Sequence, residues 1–411
     1  MTRIAHHRVA IVGGGVAGSA LAIALAQRGI KAVIIERDPA WTPLSSGIFV
    51  YGNGLHALDQ LGVLGDICEK GWVSPDGGND YLTADDATIT RTVYPRGGHA
   101  IPAIVGIRRV DLHRVLASRV RELGVEVLLG ETVASIDDGS PSKPLTITLS
   151  GGRQVACEAL IGADGIRSQI RDYLFGAIEP VYAGLGVWRS THVKPASVNA
   201  KIMMMGVGTR LGIMPISSGE LYLFGTTREP GKPHYPRDSW AREMRAKFSA
   251  FGEPASRFLG EISRPEQVFF TAIEEVQLPL PWNRGRIGLI GDAAHSSSPF
   301  MGQGGAMALE DGVLLAALLD RDADVAATLL EFGARRYARC RFVQEASRQV
   351  GQAGATEDVS SSVARNDRMR ERAQQDVDMF YARLADLKGI SECEPEARRN
   401  QIRGATAPVS L

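Results

Sequence analysis

The sequence predicts an α/β fold: a βαβ domain, an inserted β-sheet that is mostly antiparallel, and C-terminal helices. Apolar, β-branched runs at 8–12 and 31–37 flank a helical stretch, the pattern of two parallel strands joined by a helix. Residues 74–106 and 180–280 instead hold prolines, turn clusters and alternating runs such as KIMMMGVG and QVFFTAIEEVQL, which favour antiparallel strands. From about residue 345 the chain is charged and has helical periodicity.

Composition indicates a globular protein with a small-molecule partner. The chain has 411 residues, of which 44% are hydrophobic, so it can bury a large core. Lys plus Arg and Asp plus Glu both number 46, so no net charge attracts nucleic acid. The N-terminal apolar stretch is interrupted by glycines and lacks a cleavage site, which predicts neither a signal peptide nor a transmembrane segment.

Cysteine usage predicts a reducing, cytoplasmic location. The four cysteines form no CxxC pair and have no zinc-site spacing; they are Cys68, Cys157, Cys340 and Cys393. We therefore expect free thiols, no disulfide and no metal.

The first glycine-rich turn, GGGVAG at 13–18, lies between the strand at 8–12 and a helix. It reads Gly-x-Gly-x-x-Gly, and Glu36 ends the next strand, which is the pattern of a Rossmann-like dinucleotide site. The pyrophosphate would lie on the helix N-terminus and Glu36 would accept from ribose hydroxyls. This pattern leaves FAD and NAD both open. Arg37 is either a clamp for a 2′-phosphate or a solvated charge. The predicted contacts are Gly13, Gly15, Val16, Ala17, Gly18 and Glu36.

A second signal is EALIGADGIRSQIR at 158–171, where a buried strand runs into a turn and a helix. Asp164 and Gly165 stand in that turn. The carboxylate either caps the helix or faces a second part of the nucleotide, and the residues alone leave both interpretations open.

The third signal is GDAAHSSSPFMGQGGAMALEDG at 291–312, preceded by a predicted buried strand at 282–291. Asp292 is placed to bind sugar or polyol hydroxyls. The turn from Pro299 leads into an apolar helix, and the free N–H groups at its start suit a ligand that becomes negative, such as a reduced flavin. The predicted cofactor contacts in this turn and at the helix start are Pro299, Gly302, Gln303, Gly304 and Gly305.

The three signals together resemble the group A flavoprotein aromatic hydroxylases, single-component FAD monooxygenases related to p-hydroxybenzoate hydroxylase. The resemblance covers residues 8 to about 345, and the segment TRLGIMPISSGELYLFG at 209–225 is most similar to the urate-hydroxylase and quinolone-hydroxylase branch. It implies a glutathione-reductase-like FAD-binding domain. Within it, the first loop binds the ADP half, Asp164 and Gly165 lie near the pyrophosphate, Asp292 binds the ribityl chain and the turn at 299–305 lies under the isoalloxazine.

The same resemblance assigns further cofactor contacts. Arg109, in IRRVDLHRVL at 107–116, would reach FAD, and Arg108 is the less favoured of the two arginines. Val133 is also assigned to the FAD site. The family activity would be hydroxylation of a small aromatic or heteroaromatic compound through a flavin C4a-hydroperoxide, with O2 as oxidant and NADH or NADPH as external reductant.

Arg210 and Tyr222 match positions that face the substrate in the urate enzymes. Alternatively, Arg210 snorkels at a strand end and Tyr222 packs between sheets. The urate branch has an acidic residue where this chain has Phe300, which disfavours urate itself. The predicted catalytic residues are Arg210, Tyr222 and Pro299. An apolar substrate wall, which ordinary core packing would explain almost as well, is predicted from Met203, Met204, Met205, Met214, Phe300 and Met301.

These patterns predict a discontinuous FAD-binding domain, an inserted substrate domain and a C-terminal helical segment. The FAD-binding domain comprises 1–73, 107–179 and 281–345. The substrate domain comprises 74–106 and 180–280, and the C-terminal helical segment comprises 346–411. An apolar stripe in the last segment packs on its own domain or on a second subunit, so the protein is a monomer or a homodimer.

Other functions on related folds are less consistent with the sequence. A flavin-dependent halogenase would carry W-x-W-x-I-P, which is absent. A flavin-dependent reductase of isoprenoid double bonds would share the fold. A nicotinamide dehydrogenase would explain only the first loop, and a noncatalytic FAD-binding protein would hold flavin without turnover.

Overall fold

Three β-sheets organise the chain, and the computed structural model describes residues 5–42, 46–98, 100–139, 143–387 and 389. The strands are β1 (Ala5–Val12), β2 (Ala32–Glu36), β3 (Gly47–Tyr51), β4 (Trp72–Val73), β5 (Gly78–Thr83), β6 (Thr88–Val93), β7 (Ile104–Arg108), β8 (Glu126–Leu129), β9 (Val133–Asp137), β10 (Leu145–Leu149), β11 (Gln154–Gly162), β12 (Val181–Val193), β13 (Lys201–Met205), β14 (Thr209–Pro215), β15 (Glu220–Arg228), β16 (Val268–Glu275), β17 (Asn283–Arg284) and β18 (Ile287–Leu289).

The helices lie between and after these strands. They are α1 (Val16–Ala26), α2 (Gly52–Gln60), α3 (Leu64–Lys70), α4 (Arg109–Glu122), α5 (Gln169–Phe175), α6 (Trp240–Lys247), α7 (Ala255–Glu261), α8 (Asp292–His295), α9 (Gly304–Arg321), α10 (Val325–Gly354) and α11 (Val359–Asp386). None of the described helices combines the length and the apolar character that crossing a membrane requires.

The first sheet brings the three glycine-rich signals to one edge. Its main strand order is β17-β18-β11-β1-β2-β8, and β1 pairs in parallel with both β2 and β11. Val12 is opposite both Ile35 and Gly162, and Gly162 is opposite Leu289. Because parallel strands end at the same edge, the turns that follow β1, β11 and β18 meet there.

The predicted single strand at 282–291 is wrong in detail. The segment forms a tight antiparallel hairpin of β17 and β18, in which Arg284 pairs with Ile287. Gly285 between them has φ +56, a left-handed conformation that glycine adopts without steric cost. The shorter β18 still joins the parallel sheet beside β11.

Helix α1 is buried along most of its length and packs closely on α9. A Cβ built on Gly312 of α9 would lie 2.5 Å from the backbone nitrogen of Leu21. The glycine thus lets the two helices approach, which fixes the start of α9 relative to the first glycine loop.

The second sheet is mostly antiparallel, as the sequence predicts. Its order is β16-β12-β15-β14-β13-β5-β6, and only the β13–β5 pair is parallel. One face packs with α6 and α7 and includes Met204. The opposite face carries Met203 and Met205, since successive strand residues point to opposite sides. A third, small sheet of β3, β7 and β4 lies against that second face.

Helix α11 packs on its own chain. Phe380 stacks on Phe342 of α10 with ring centroids 5.2 Å apart. Gln374 donates to the backbone oxygen of Val93 in β6 at 3.0 Å and accepts from its N–H at 2.7 Å. Helix α11 therefore packs its Phe380 against α10 and lies along the edge strand β6.

Candidate functional site

Each glycine of the first loop has a distinct steric reason to be glycine. Gly13 has φ +104, and a Cβ there would lie 2.4 Å from the backbone oxygen of Ala163. A Cβ on Gly18 would lie 1.9 Å from the Gly13 oxygen, so the helix can approach the strand only without it. A Cβ on Gly15 would meet no protein atom within 4 Å. The open space at Gly15 is therefore free for a ligand to approach the backbone.

Two helices begin at this edge without side-chain caps. Neither α1, which follows Gly15, nor α9, which follows Gln303, has a side-chain cap or an acidic residue in its first turn. Among the described helices, Ser168, Asp324 and Asp358 cap α5, α10 and α11, and the others begin without a side-chain cap. The first N–H groups of a helix need partners, and an anion would meet that need at the starts of α1 and α9. Val16 and Ala17 belong to the first start, and Gly304 and Gly305 belong to the second.

Glu36 lies at the end of β2 and touches the glycine loop. Its Oε2 accepts from the Gly14 N–H at 2.6 Å, and its Oε1 accepts from the Asp38 N–H at 2.9 Å. The carboxylate is thus held beside the loop, where the sequence prediction requires it. Arg37 is exposed at the same strand end.

Two residues that the sequence analysis missed also hold the loop. The Trp41 indole N–H donates to the Gly14 oxygen at 2.9 Å, and His113 Nε2 lies 3.2 Å from that oxygen. Their rings meet edge to face at 5.5 Å. Both are far from the loop in sequence, so no local pattern could have revealed them.

The carboxylate of Asp164 caps α5. It accepts from the Ser168 hydroxyl and from the Ile170 N–H, the latter at 3.1 Å. Burial raises the pKa of Asp164 above its ordinary value. A Cβ built on Gly13 would lie 2.9 Å from the Cα of Asp164, so the turn that holds Asp164 borders the first glycine loop. The Asp164 side chain itself bonds to the start of α5. Gly165 follows with φ +82.

Val133 begins β9 with a buried side chain. Its backbone oxygen accepts from the Gln169 amide at 2.7 Å, which ties β9 to the start of α5.

Asp292 begins α8, and its side chain is exposed to solvent. Desolvation by the surrounding protein raises its pKa, and the charges of His295 and Arg109 oppose that rise. Arg108 instead pairs with Asp111 and, at 3.2 Å, with Glu220. Of the two neighbouring arginines, Arg109 is therefore the one whose charge acts on Asp292.

The turn before α9 is tightly packed. Pro299–Met301 form a single 3-10 turn, and Gly302 follows with φ +63. A Cβ on Gly302 would lie 2.6 Å from the Tyr51 ring, so only glycine fits. The side-chain oxygen of buried Gln303 accepts from the Asn53 amide at 2.9 Å. Gly302 and Gln303 are thus fixed by α2 and the strand before it.

A buried ionic network joins the turn at Gly291 to helices α9 and α10. Asp311 of α9 accepts from the Gly291 N–H at 2.8 Å, from His295 Nε2 at 2.6 Å and from Arg336 Nε at 2.6 Å. Burial alone would raise the pKa of Asp311, but the charges of His295 and Arg336 hold it below its ordinary value. The turn that carries Asp292 is therefore anchored to α9 and α10.

The neighbouring Glu310 extends the network. Its carboxylate accepts from Arg336, from Arg339 and from Asn53, the last at 3.0 Å. Arg336 and Arg339 were not predicted from the sequence as part of the site. The sequence feature that could have indicated them is the pair of acids, Glu310 and Asp311, inside an otherwise apolar helix. Buried carboxylates need cations nearby.

The predicted substrate residues gather on the second face of the seven-stranded sheet. Arg210 is buried, and its guanidinium carbon lies 4.4 Å from the centroid of the Phe300 ring. Within the described part of the chain, its Nε and Nη2 have no hydrogen-bond partner. Burial lowers the pKa of Arg210 to about 10. This environment differs from that of an arginine that snorkels to solvent.

Most of the other predicted wall residues share that face, whereas Met204 lies on the opposite one. Tyr222 is opposite Met214 in the β14–β15 pair, and Met205 is opposite Arg210 in the β13–β14 pair. Burial raises the pKa of Tyr222, so its hydroxyl stays protonated near neutral pH. One apolar cluster contains Met203, Met205, Met214, Tyr222 and Phe300. The structure thus brings together the predicted substrate residues beside the turn at 299–302.

The parallel sheet, the glycine loop after β1 and Glu36 at the end of β2 are the features of a dinucleotide-binding fold. A family model described as FAD binding domain matches residues 6–328. An aurachin C monooxygenase/isomerase of Stigmatella aurantiaca is 31% identical over 90% of this chain and 95% of its own. A 2-heptyl-3-hydroxy-4(1H)-quinolone synthase of Pseudomonas aeruginosa is 31% identical over 88% of this chain and 93% of its own.

A solved structure agrees with these sequence matches. Klebsiella pneumoniae HpxO, complexed with FAD and uric acid, superposes with a TM-score of 0.80 at 25% identity, over 92% of this chain and 97% of that one. The chain therefore belongs to the FAD binding domain family and, within it, to the flavoprotein monooxygenases of the group A aromatic hydroxylase type. The open backbone at Gly15 and the two uncapped helix starts fit FAD, which is the cofactor.

Proposed function

We propose that this monooxygenase uses NADH or NADPH and O2 to hydroxylate a small aromatic or heteroaromatic compound. The observation that carries the proposal is the buried guanidinium of Arg210, which lies against Phe300 of the cofactor turn and has two unpartnered nitrogens. A buried polar group without a partner is costly, and a bound substrate would supply the partner.

The residues of the site have separable roles in this proposal. Arg210 binds and orients the substrate, and the protonated hydroxyl of Tyr222 donates to it. Pro299 sets the turn on which the cofactor ring would lie. The methionine side chains exclude water and adapt to a flat ring. Arg109 and Asp292 would contact FAD, together with the two helix starts.

When bound, FAD supplies the redox chemistry: it accepts electrons from the reduced nicotinamide and activates O2 for transfer of one oxygen atom. The flavin C4a-hydroperoxide implied by the sequence resemblance is part of this proposal. So are a cytoplasmic location, a monomeric or homodimeric state and the division into three segments given above.

The names of the relatives favour a nitrogen heterocycle among the possible substrates. They include a quinolone synthase and several FAD-dependent urate hydroxylases. Phe300 replaces the acidic residue expected in the urate branch, so we propose a less polar ring than urate.

The test is substrate-dependent oxygenation. The FAD-loaded protein would be mixed with NADH or NADPH in air and with a panel of quinolones, pyridines, phenols and purines, while coenzyme consumption and product mass are recorded. We expect at least one compound to accelerate coenzyme oxidation and to gain one oxygen atom. Reduction of a substrate double bond, or halogenation in the presence of halide, would instead support one of the related functions.

A further inference from the structure

A second buried cation, Lys201, lies on the same sheet face as Arg210. Its ammonium nitrogen donates to the Tyr51 hydroxyl at 3.0 Å. It also lies 5.6, 5.5 and 5.3 Å from the ring centroids of Phe49, Tyr51 and Tyr94. Lys201 therefore sits in an aromatic cage behind Gly302, which itself packs on the Tyr51 ring.

Neither cation has an anionic partner. Across the described ranges, no carboxylate lies within 4.0 Å of Lys201 or Arg210. Burial lowers the pKa of Lys201 to about 8, and the charge of Arg210 adds to this effect. Two buried cations that repel one another inside an apolar wall are unfavourable unless an anion joins them.

A further orphaned group lies beside Lys201. Asn79 of β5 is opposite Lys201 in the parallel β13–β5 pair, and it is fully buried. No described residue makes a hydrogen bond to its amide nitrogen or its amide oxygen. Thr92, opposite Asn79 in β6, also has an unpartnered hydroxyl. In native proteins nearly all buried polar groups are paired, so this concentration indicates that a polar ligand completes the site.

Lys201 is absent from the buried ionic networks of the protein. Arg336, which is equally buried, pairs with Glu310 and Asp311. Lys247, on the other side of the sheet, pairs with Glu229 at 3.0 Å. These comparisons show how this fold neutralises its structural cations, and Lys201 lacks any such carboxylate.

We propose that Lys201 is a specificity-determining residue that selects ring compounds with a negative charge, a carboxylate in particular, over their neutral analogues. The inference rests on the proposed function, because it assigns the substrate class of the same site. The acid group lies between Lys201 and the free edge of the Arg210 guanidinium, with the Asn79 amide as an additional polar contact. The aromatic cage packs against the ring.

Binding of matched compound pairs tests the proposal without turnover. The FAD-loaded protein is titrated calorimetrically with 4-hydroxybenzoate, quinoline-2-carboxylate and pyridine-3-carboxylate, and with the carboxamide of each. We expect the acid of at least one pair to bind about tenfold or more tightly than its amide, the effect of one charge-assisted contact. Lys201→Met should remove that preference and leave amide binding within about twofold.

The controls separate charge from folding. Lys194→Met alters a lysine just after β12 whose ammonium donates to the Val198 backbone oxygen, and it should leave the preference intact. Lys201→Arg keeps the charge and should keep the preference. If Lys201→Met loses FAD or melts early, Lys201→Gln serves as the second neutral variant.

The possible outcomes are distinct. Equal binding of acids and amides, a preference that survives in the neutral variants, or no binding of any acid would overturn the assignment of Lys201. Oxygenation of neutral compounds alone would overturn it while leaving the proposed function standing. Tight binding of acids without oxygenation of any ring compound would overturn the proposed function and leave the assignment of Lys201 standing.

Discussion

The guanidinium of Arg210 lies 4.4 Å from the ring centroid of Phe300, so a strand of the antiparallel sheet touches the glycine-rich turn of the cofactor domain. Arg210 lies in β14, and Phe300 belongs to the turn that leads into α9. The contact places a cation beside the segment on which the flavin ring is proposed to lie. Because its Nε and Nη2 are unpartnered, this arginine is available for a substrate.

Replacing Arg210 should weaken substrate binding without affecting FAD. Hydrogen bonds to a charged group contribute about 1.5–3 kcal/mol, so Arg210→Gln should raise KM about 10- to 150-fold. Bound FAD per protein should stay at the wild-type level. The measurements are the substrate dependence of coenzyme oxidation and the flavin absorbance of the purified variant.

Arg228→Gln is the matched control, since Arg228 ends the neighbouring strand β15 and makes an exposed ion pair with Glu357. Its KM should equal that of the wild type. A similar KM increase in both variants would mean that Arg210 acts through the sheet and not on the substrate.

The glycine loop offers a test that separates folding from cofactor binding. In Gly15→Ala, the new methyl group meets no protein atom within 4 Å but occupies the space proposed for the pyrophosphate. FAD affinity should fall about tenfold or more, while the melting temperature of the FAD-free protein should stay nearly constant.

Gly18→Ala should behave differently, because its Cβ would lie 1.9 Å from the Gly13 oxygen. We expect this variant to unfold at a lower temperature even without FAD. FAD affinity that is unchanged in Gly15→Ala would contradict the assignment of the loop.

The ionic network beneath the turn should contribute strongly to stability. Arg336→Met leaves Glu310 and Asp311 buried without their shared cation, and such a loss costs about 3–5 kcal/mol. The neighbouring Arg335 makes a more exposed ion pair with Glu331, so Arg335→Met should cost about 1 kcal/mol or less. Urea unfolding of both variants gives the comparison, and equal losses would refute this role for the network.

The affinity for anionic ligands should depend on pH through Lys201. Its pKa is lowered to about 8 by burial, and an anion binds the protonated form, so Kd should begin to rise as pH increases above about 8. Below that pH the lysine is charged and Kd should be constant. The titratable or charged groups around it are Tyr51, Tyr81, Tyr94 and Arg210. A Kd for quinoline-2-carboxylate that stays constant from pH 7 to 9.5 would count against the prediction, and Lys201→Arg should shift the rise to higher pH.

The sequence indicated where the three glycine-rich turns meet because its signals are local. Gly13, Asp164 and Asp292 each follow a buried strand, and parallel strands in one sheet end at a common edge. The predicted apolar wall is wrong for Met204, because successive strand residues point to opposite faces and Met204 lies on the face away from Met203 and Met205.

The features of the site that could not be predicted from the sequence depend on contacts between residues far apart in the chain. Trp41 and His113 reach the Gly14 oxygen from separate elements, and Asp311 meets Arg336 across two helices. Lys201 stands two residues before Met203 in the same strand, so strand alternation places both side chains on one face. Its burial was not predictable, because the cage around it comes from β3 and the segment after β6.

Isotope labelling is the most direct test of the central claim. The FAD-loaded protein, NADH or NADPH and the compound that most accelerates coenzyme oxidation would be incubated under 18O2, and the product would be analysed by mass spectrometry. A monooxygenase that hydroxylates its ring substrate predicts a product with one 18O atom derived from the gas. A product that takes its oxygen from water, or coenzyme oxidation that yields only hydrogen peroxide, would contradict the account.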